Sequence, residues 1–189
     1  GAEFQAKLAA AKRNYEALTA GQKSLYDGGY AAGAAGLSFT AQKTAGILEA
    51  IELELQIIAL NKAVSTSNAA NVKAANDAKA ALAKKELFDG VKADTLLSTE
   101  SVAKLEALLV AKALVEVKVE TAKINEAYNA YTALDAAKKA IVEESFKNIV
   151  FGDLKGIDAY KAAKLDQVAK NATAAFKANE EKTLVLAKE

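Results

Sequence analysis

The sequence predicts an all-α protein, an elongated array of overlapping three-helix bundles sharing long helices, and three observations predict it. Pro is absent from all 189 residues, Ala supplies roughly a quarter of them, and apolar residues recur three or four apart through most of the chain. A chain without Pro needs no fixed kink and no donor-free turn, which suits helices joined by short polar links. Small side chains bury little area each, so stability must come from length and many contacts. A compact single bundle is the competing layout.

The stretch that organises this array is 98–134. Val102, Leu105, Leu109, Ala113, Val117, Ile124, Tyr128 and Tyr131 keep helical spacing there, and a second row, Leu108, Val115, Val119 and Ala122, lies off that stripe. A helix apolar on more than one side is buried on more than one side, so the expectation is a single long helix shared between the packing units before and after it. Within it, Val115 to Glu120 alternates as a strand would, but the flanking periodicity and the lack of a partner strand favour helix.

The other elements follow in order. Phe4, Leu8, Ala11, Tyr15 and Leu18 mark a first helix, and Thr19 precedes Gln22 at capping-box spacing, so a second helix starts at Ala20. Gly28, Gly29, Gly33 and Gly36 weaken that second helix; they read as a turn or close helix crossing, with a ligand-approaching loop as the alternative. A third helix runs from a cap at Ser38 or Thr40 to about Val64, apolar over a wide arc. Ser65 to Asn68 is a polar linker, and a fourth, Ala-rich helix extends from about Asn71 to Phe88, stopped by Asp89-Gly90. Val91 to Leu97 leads to Ser98 or Thr99, the cap of the organising helix. Asp135 caps a sixth helix reaching about Phe151, Gly152 and Gly156 bracket a short connection, and the last helix spans about 157–187. In domain terms, 1–4 reads as a cloning remnant of an excised fragment, 5–97 as a first helical bundle, and 98–189 as a second, continuous with the first through the 98–134 helix.

Composition narrows function. With no Cys and no His there is no thiolate or imidazole ligand, no Cys or His nucleophile and no Ser-His-Asp relay. The expectation is therefore a protein that is not an enzyme, with no catalytic residues, no metal and no cofactor. Basic and acidic residues balance at 25 and 24, and Arg13 is the sole arginine, which argues against nucleic acid. No apolar run approaches the roughly 20 residues that span a bilayer. Carboxylates at Glu143-Glu144, at Glu180-Glu181 and along Glu49, Glu52 and Glu54 alternate with lysines and read as solvated helix faces, and no calcium-loop pattern accompanies them. Asn171-Ala172-Thr173 matches a glycosylation acceptor but falls in a predicted helix.

Two helix junctions are alike. Tyr15, Ala17, Leu18, Thr19, Ala20, Lys23 and Leu25 align with Tyr131, Ala133, Leu134, Asp135, Ala136, Lys139 and Ile141, 116 residues on. Tyr15-Glu16-Ala17-Leu18-Thr19 with Gln22-Lys23 and Leu25 resembles the helical repeats of large Gram-positive surface-layer and cell-wall-associated proteins, of the form A-x-x-x-Y-x-A-L-T-x-x-Q-K-x-L-V. The second junction departs from it, with Asp135 for Thr and Lys138 for Gln. The resemblance implies a secreted, extracellular structural module of a bacterial cell surface, whose partners are other copies or domains of the same surface protein and cell-wall polysaccharide. Lys23, Tyr26 and Tyr30 are the candidate ligand-binding residues, the tyrosines stacking on a sugar polymer or else packing inside the first bundle. An adhesin-type helical protein-binding module is the alternative.

Overall fold

The computed structural model describes residues 6, 10, 13, 14, 16–23, 41–88 and 91–186. The chain is mostly helical. Its main helices are α1 (Ala41–Ala59), α2 (Thr66–Leu82), α3 (Thr99–Glu116), α4 (Thr121–Thr132), α5 (Ala136–Phe146) and α6 (Gly156–Leu186). Strands β1 (Glu86–Phe88) and β2 (Val91–Lys92) stand between α2 and α3, followed by a 3-10 turn at Ala93–Leu96, and β3 (Val150–Phe151) and β4 (Leu154–Lys155) stand between α5 and α6. Two compact units result, Gly1–Asn61 with Ser67–Leu105, and Lys62–Thr66 with Glu106–Glu189. The chain passes from the first to the second within α3.

In the first unit α1 turns Ala50, Leu53, Glu54 and Ile57 inward, while Ile47, Leu48, Ile51, Leu55 and Ile58 are half-buried. The wide apolar arc read from the sequence therefore has no bare flank. Its inward face packs against β1 and the 3-10 turn. A cap starts α3 and a polar tie binds it to α1. Ser98 caps α3, its Oγ accepting from the Ser101 N–H at 3.1 Å, and Lys104 Nζ donates at 2.7 Å to the Ile58 carbonyl, one of the acceptors α1 cannot satisfy at its own end. Burial pulls the Lys104 ammonium below the ordinary lysine range.

The single helix expected over 98–134 is two helices. α3 stops at Glu116, and a γ-turn closed by the Glu120 N–H on the Lys118 carbonyl (2.8 Å) leads into α4. The physical reason lies partly in Val115, Val117 and Val119, whose branched side chains are stiff against a preceding helical turn. It lies partly 46 and 45 residues away: Tyr160 Oη donates to the Leu114 and Val115 carbonyls at 3.1 and 3.2 Å, supplying partners that make a helix end stable there.

The two hairpins also depart from the all-α expectation, which had run a helix to Phe88 and another to Phe151. Both helices stop earlier, at Leu82 and Phe146. Runs of two or three residues carry no period to read, and only the ladder reveals them. The hairpins are copies of one another. Phe88-Asp89-Gly90-Val91-Lys92 matches Phe151-Gly152-Asp153-Leu154-Lys155, with Phe88 paired to Val91 and Phe151 to Leu154. Each is entered by a tight turn after a helix (Lys85 N–H to Leu82 O, Ile149 N–H to Phe146 O, both 2.9 Å). Each is closed at 2.8 Å by the residue after the second strand (Ala93 N–H to Lys85 O, Gly156 N–H to Ile149 O). The first copy holds one more residue in its first strand, three against two, and a bulge between Glu86 and Phe88 absorbs it. Gly152 has φ +58 at the first turn position, the II′ hairpin geometry that glycine adopts without strain.

In the second unit Leu108, Ala111, Leu114, Ile124, Val142, Phe146, Ile157 and Ala159 are buried. The Phe146 and Tyr160 rings meet at 4.9 Å, and the Ala63 N–H donates to Ser145 Oγ at 3.3 Å. α6 packs against α4, α5 and the β3–β4 hairpin along its first half only. Its 31 residues extend about 46 Å, and residues 169–182 are exposed throughout.

Candidate functional site

In the second unit α4, α5, β4 and the start of α6 enclose an open cleft of about 540 Å³, which Tyr128, Tyr131, Glu143, Lys147, Lys155 and Asp158 help to line. The sequence builds it from three local devices. Tyr128 and Tyr131 lie three apart and so share one face of α4. The Asp135 carboxylate accepts from the Lys138 N–H at 2.9 Å, capping α5 and reversing the chain so that Glu143 faces Tyr131. Gly156, at φ +67, turns the chain from β4 into α6 and delivers Asp158 to the rim.

The polar groups are paired across the cleft. Tyr131 Oη donates to Glu143 Oε1 at 2.5 Å and Tyr128 Oη to Asp158 Oδ1 at 2.7 Å. The rings are 5.7 Å apart and tilted, and Lys161 Nζ sits 3.9 Å over the Tyr128 ring. Desolvation, then the hydrogen bond to Glu143, drives the Tyr131 phenol far above its ordinary range. The bond to Asp158 is the main cause of the rise at Tyr128. Both phenols therefore stay protonated donors at neutral pH, and each carboxylate is held as an acceptor. Lys147 pairs with Glu144 at the edge. Such a cleft offers aromatic faces and mixed charge to a polyhydroxyl or zwitterionic ligand.

The residues singled out from the sequence lie elsewhere. Thr19 and Gln22 form the reciprocal capping box, the Thr19 N–H donating to Gln22 Oε1 (2.9 Å) and the Gln22 N–H to Thr19 Oγ1 (3.2 Å). Lys23 is half-buried and donates to the Glu16 carbonyl at 3.1 Å. Tyr26, Tyr30 and the glycines from Gly28 to Gly36 lie outside the described residues. Sequence reasoning missed the α4 tyrosines as site residues, reading both as packing positions. No signal in the sequence separates them from packing positions, because a helical stripe reads the same for a core tyrosine and for one beside a cleft.

One carboxylate reading is corrected. Glu54 was expected on a solvated face with Glu49 and Glu52, yet it is 2% exposed and accepts from the Ser98 N–H (3.1 Å), Ser98 Oγ (2.6 Å) and Ser101 Oγ (2.6 Å). Its three donors belong to the start of α3, so it is a structural acceptor. A second cleft, of about 410 Å³ in the first unit, is lined by Gln56, Asn61, Asn68, Asn71 and small apolar residues, and Asn68 Nδ2 donates to the Asn61 carbonyl at 2.8 Å. Among the described residues no group of three acidic side chains is placed to hold a metal ion, and no helix is long and apolar enough to cross a membrane. No known protein family, no curated protein and no solved structure matches this chain.

Proposed function

We propose that the chain is a non-catalytic structural and assembly module of a secreted bacterial surface protein, contacting neighbouring subunits and, through the tyrosine cleft, cell-wall polymer. The observation that carries this reading is the repetition of one helix–hairpin–helix unit, α2–β1–β2–α3 and α5–β3–β4–α6, down to its entering turn and its closing hydrogen bond. A repeated unit that leaves part of a helix bare is the material of arrays, where each unit is stabilised by the next. The resemblance of the Tyr15–Leu25 junction to surface-layer repeats supplies the location. The aromatic rims and lysines of the cleft suit a charged polysaccharide.

Co-sedimentation with purified Gram-positive cell-wall sacculi tests the polymer contact. The chain should pellet with intact walls, and Tyr128→Ala together with Lys155→Ala should release it without loss of helical circular dichroism. A chain that stays in the supernatant with every wall preparation, while binding a soluble protein ligand, would overturn this reading in favour of an adhesin-type module.

A further inference from the structure

The cleft of the first unit lies between the end of α1 and the first turns of α2, and its polar groups are all of one kind. Gln56 stands in the last turn of α1 and Asn61 just beyond it, while Asn68 and Asn71 lie three apart on one face of α2. Asn68 is 8% exposed, and its bond to the Asn61 carbonyl fastens the two walls together. Gln56, Asn61 and Asn71 are exposed, and among the described residues their side-chain carboxamides have no hydrogen-bond partner. Charged residues make up 26% of the chain, yet none lines this cleft.

A carboxamide is planar and uncharged, and it sets two N–H donors beside an acceptor oxygen. An ion entering such a cleft would give up water without meeting a counter-charge, so the lining favours a neutral ligand. Another planar amide is its complement, because the N–H and C=O of one pair at once with the C=O and N–H of the other, and hydroxyls can take up the remaining donors and acceptors. The rest of the lining is small and apolar: Ala59 on α1 and Ala74 and Ala75 on α2 offer contact to a group the size of a methyl. A peptide bond carries a branched carbon on each side, whereas an acetamide carries a bare methyl on one. The volume of about 410 Å³ falls in the range of small-ligand sites, roughly 300–1,000 Å³.

We propose that this cleft binds the acetamido group of an N-acetylated sugar, with the carboxamides of Gln56 and Asn71 pairing with its amide and the alanines receiving its methyl. Asn68 is a positioning residue that holds the two walls at their spacing. The site differs in chemistry from the tyrosine cleft of the second unit, which offers aromatic rings and charge, and it does not rest on the reading of that cleft. A chain that pellets with walls through its tyrosines and ignores acetamido sugars would fail here alone.

Titration of the isotope-labelled full chain, followed by heteronuclear NMR, tests it with three probes. Diacetylchitobiose carries the acetamido groups, cellobiose has a hydroxyl at each of those positions, and N-acetylalanine methylamide supplies the same amide chemistry from a peptide. Diacetylchitobiose should shift the side-chain amide resonances of Gln56 and Asn71 to saturation, and the other two should bind roughly tenfold more weakly or less. Asn71→Leu and Gln56→Leu, both at exposed positions, should each weaken that binding by roughly tenfold while helical circular dichroism is unchanged. Cellobiose or the peptide amide binding as tightly as the acetylated sugar, no saturable shift at Gln56 and Asn71 with diacetylchitobiose, or wild-type affinity in folded N71L or Q56L would each overturn the proposal.

Discussion

Glu54 is the residue on which the first unit is most exposed to a single change. Its carboxylate is 2% exposed and holds three donors at 3.1, 2.6 and 2.6 Å, all from Ser98 and Ser101 at the start of α3. A hydrogen bond to a charged acceptor contributes about 1.5–3 kcal/mol, against which stands the cost of keeping the carboxylate from water. In Glu54→Ala the two hydroxyls rotate to other acceptors, but the Ser98 N–H does not rotate, and a gap remains where the side chain was. The net loss works out at about 3 kcal/mol. Glu54→Gln keeps the shape and one acceptor oxygen, and neutral bonds are roughly half as strong as charged ones, so it should lose about 1–1.5 kcal/mol. Urea unfolding followed by circular dichroism would read both as shifts in midpoint at constant slope. Pairing E54Q with Ser101→Ala in a double-mutant cycle should return a coupling of about 0.5 kcal/mol or more. An E54A chain that unfolds at the wild-type midpoint, or a cycle that closes to zero, would refute the claim that this carboxylate ties α1 to α3.

Three further outcomes are expected. The phenols of Tyr128, Tyr131 and Tyr160 are all raised, so absorbance at the phenolate band should show late-titrating tyrosines, and Tyr131→Phe should remove the latest of them. Because these groups bind their protons more tightly when folded, their contribution is complete below the unfolded value of 10.0 and is lost as pH rises above it; alkaline unfolding of Y131F should be less steep than that of the wild type. Asp135 has the opposite sign. Its backbone bond from Lys138 depresses the carboxyl below 3.8, so its contribution is present above that value and fades as pH falls through the folded pKa, and Asp135→Ala should flatten the acid limb of a melting-temperature profile. At Gly156 a β-carbon would meet nothing within 4 Å, yet φ is +67, so Gly156→Ala should cost about 1–2 kcal/mol from backbone conformation alone, measured by thermal unfolding, and a neutral result would show that the turn relaxes.

The sequence by itself determined what is local. The helical class follows from the absence of Pro and the recurrence of apolar residues, and the starts at Thr19, Ser98 and Asp135 are legible because a cap satisfies donors only two or three residues ahead. The Tyr15 and Tyr131 junctions could be aligned for the same reason. Tertiary structure decided where helices end. α3 stops at Glu116 where Tyr160 reaches its last carbonyls from another helix, and no feature of Val115 to Glu120 announces a partner so distant. It decided the hairpins, because strands of two or three residues exist only through pairing with each other and packing on α1 or α6. It decided the cleft and Glu54 as well. A carboxylate one residue from a stripe reads as solvated until another element brings it three donors, and a tyrosine on a stripe reads as core until a cleft opens beside it.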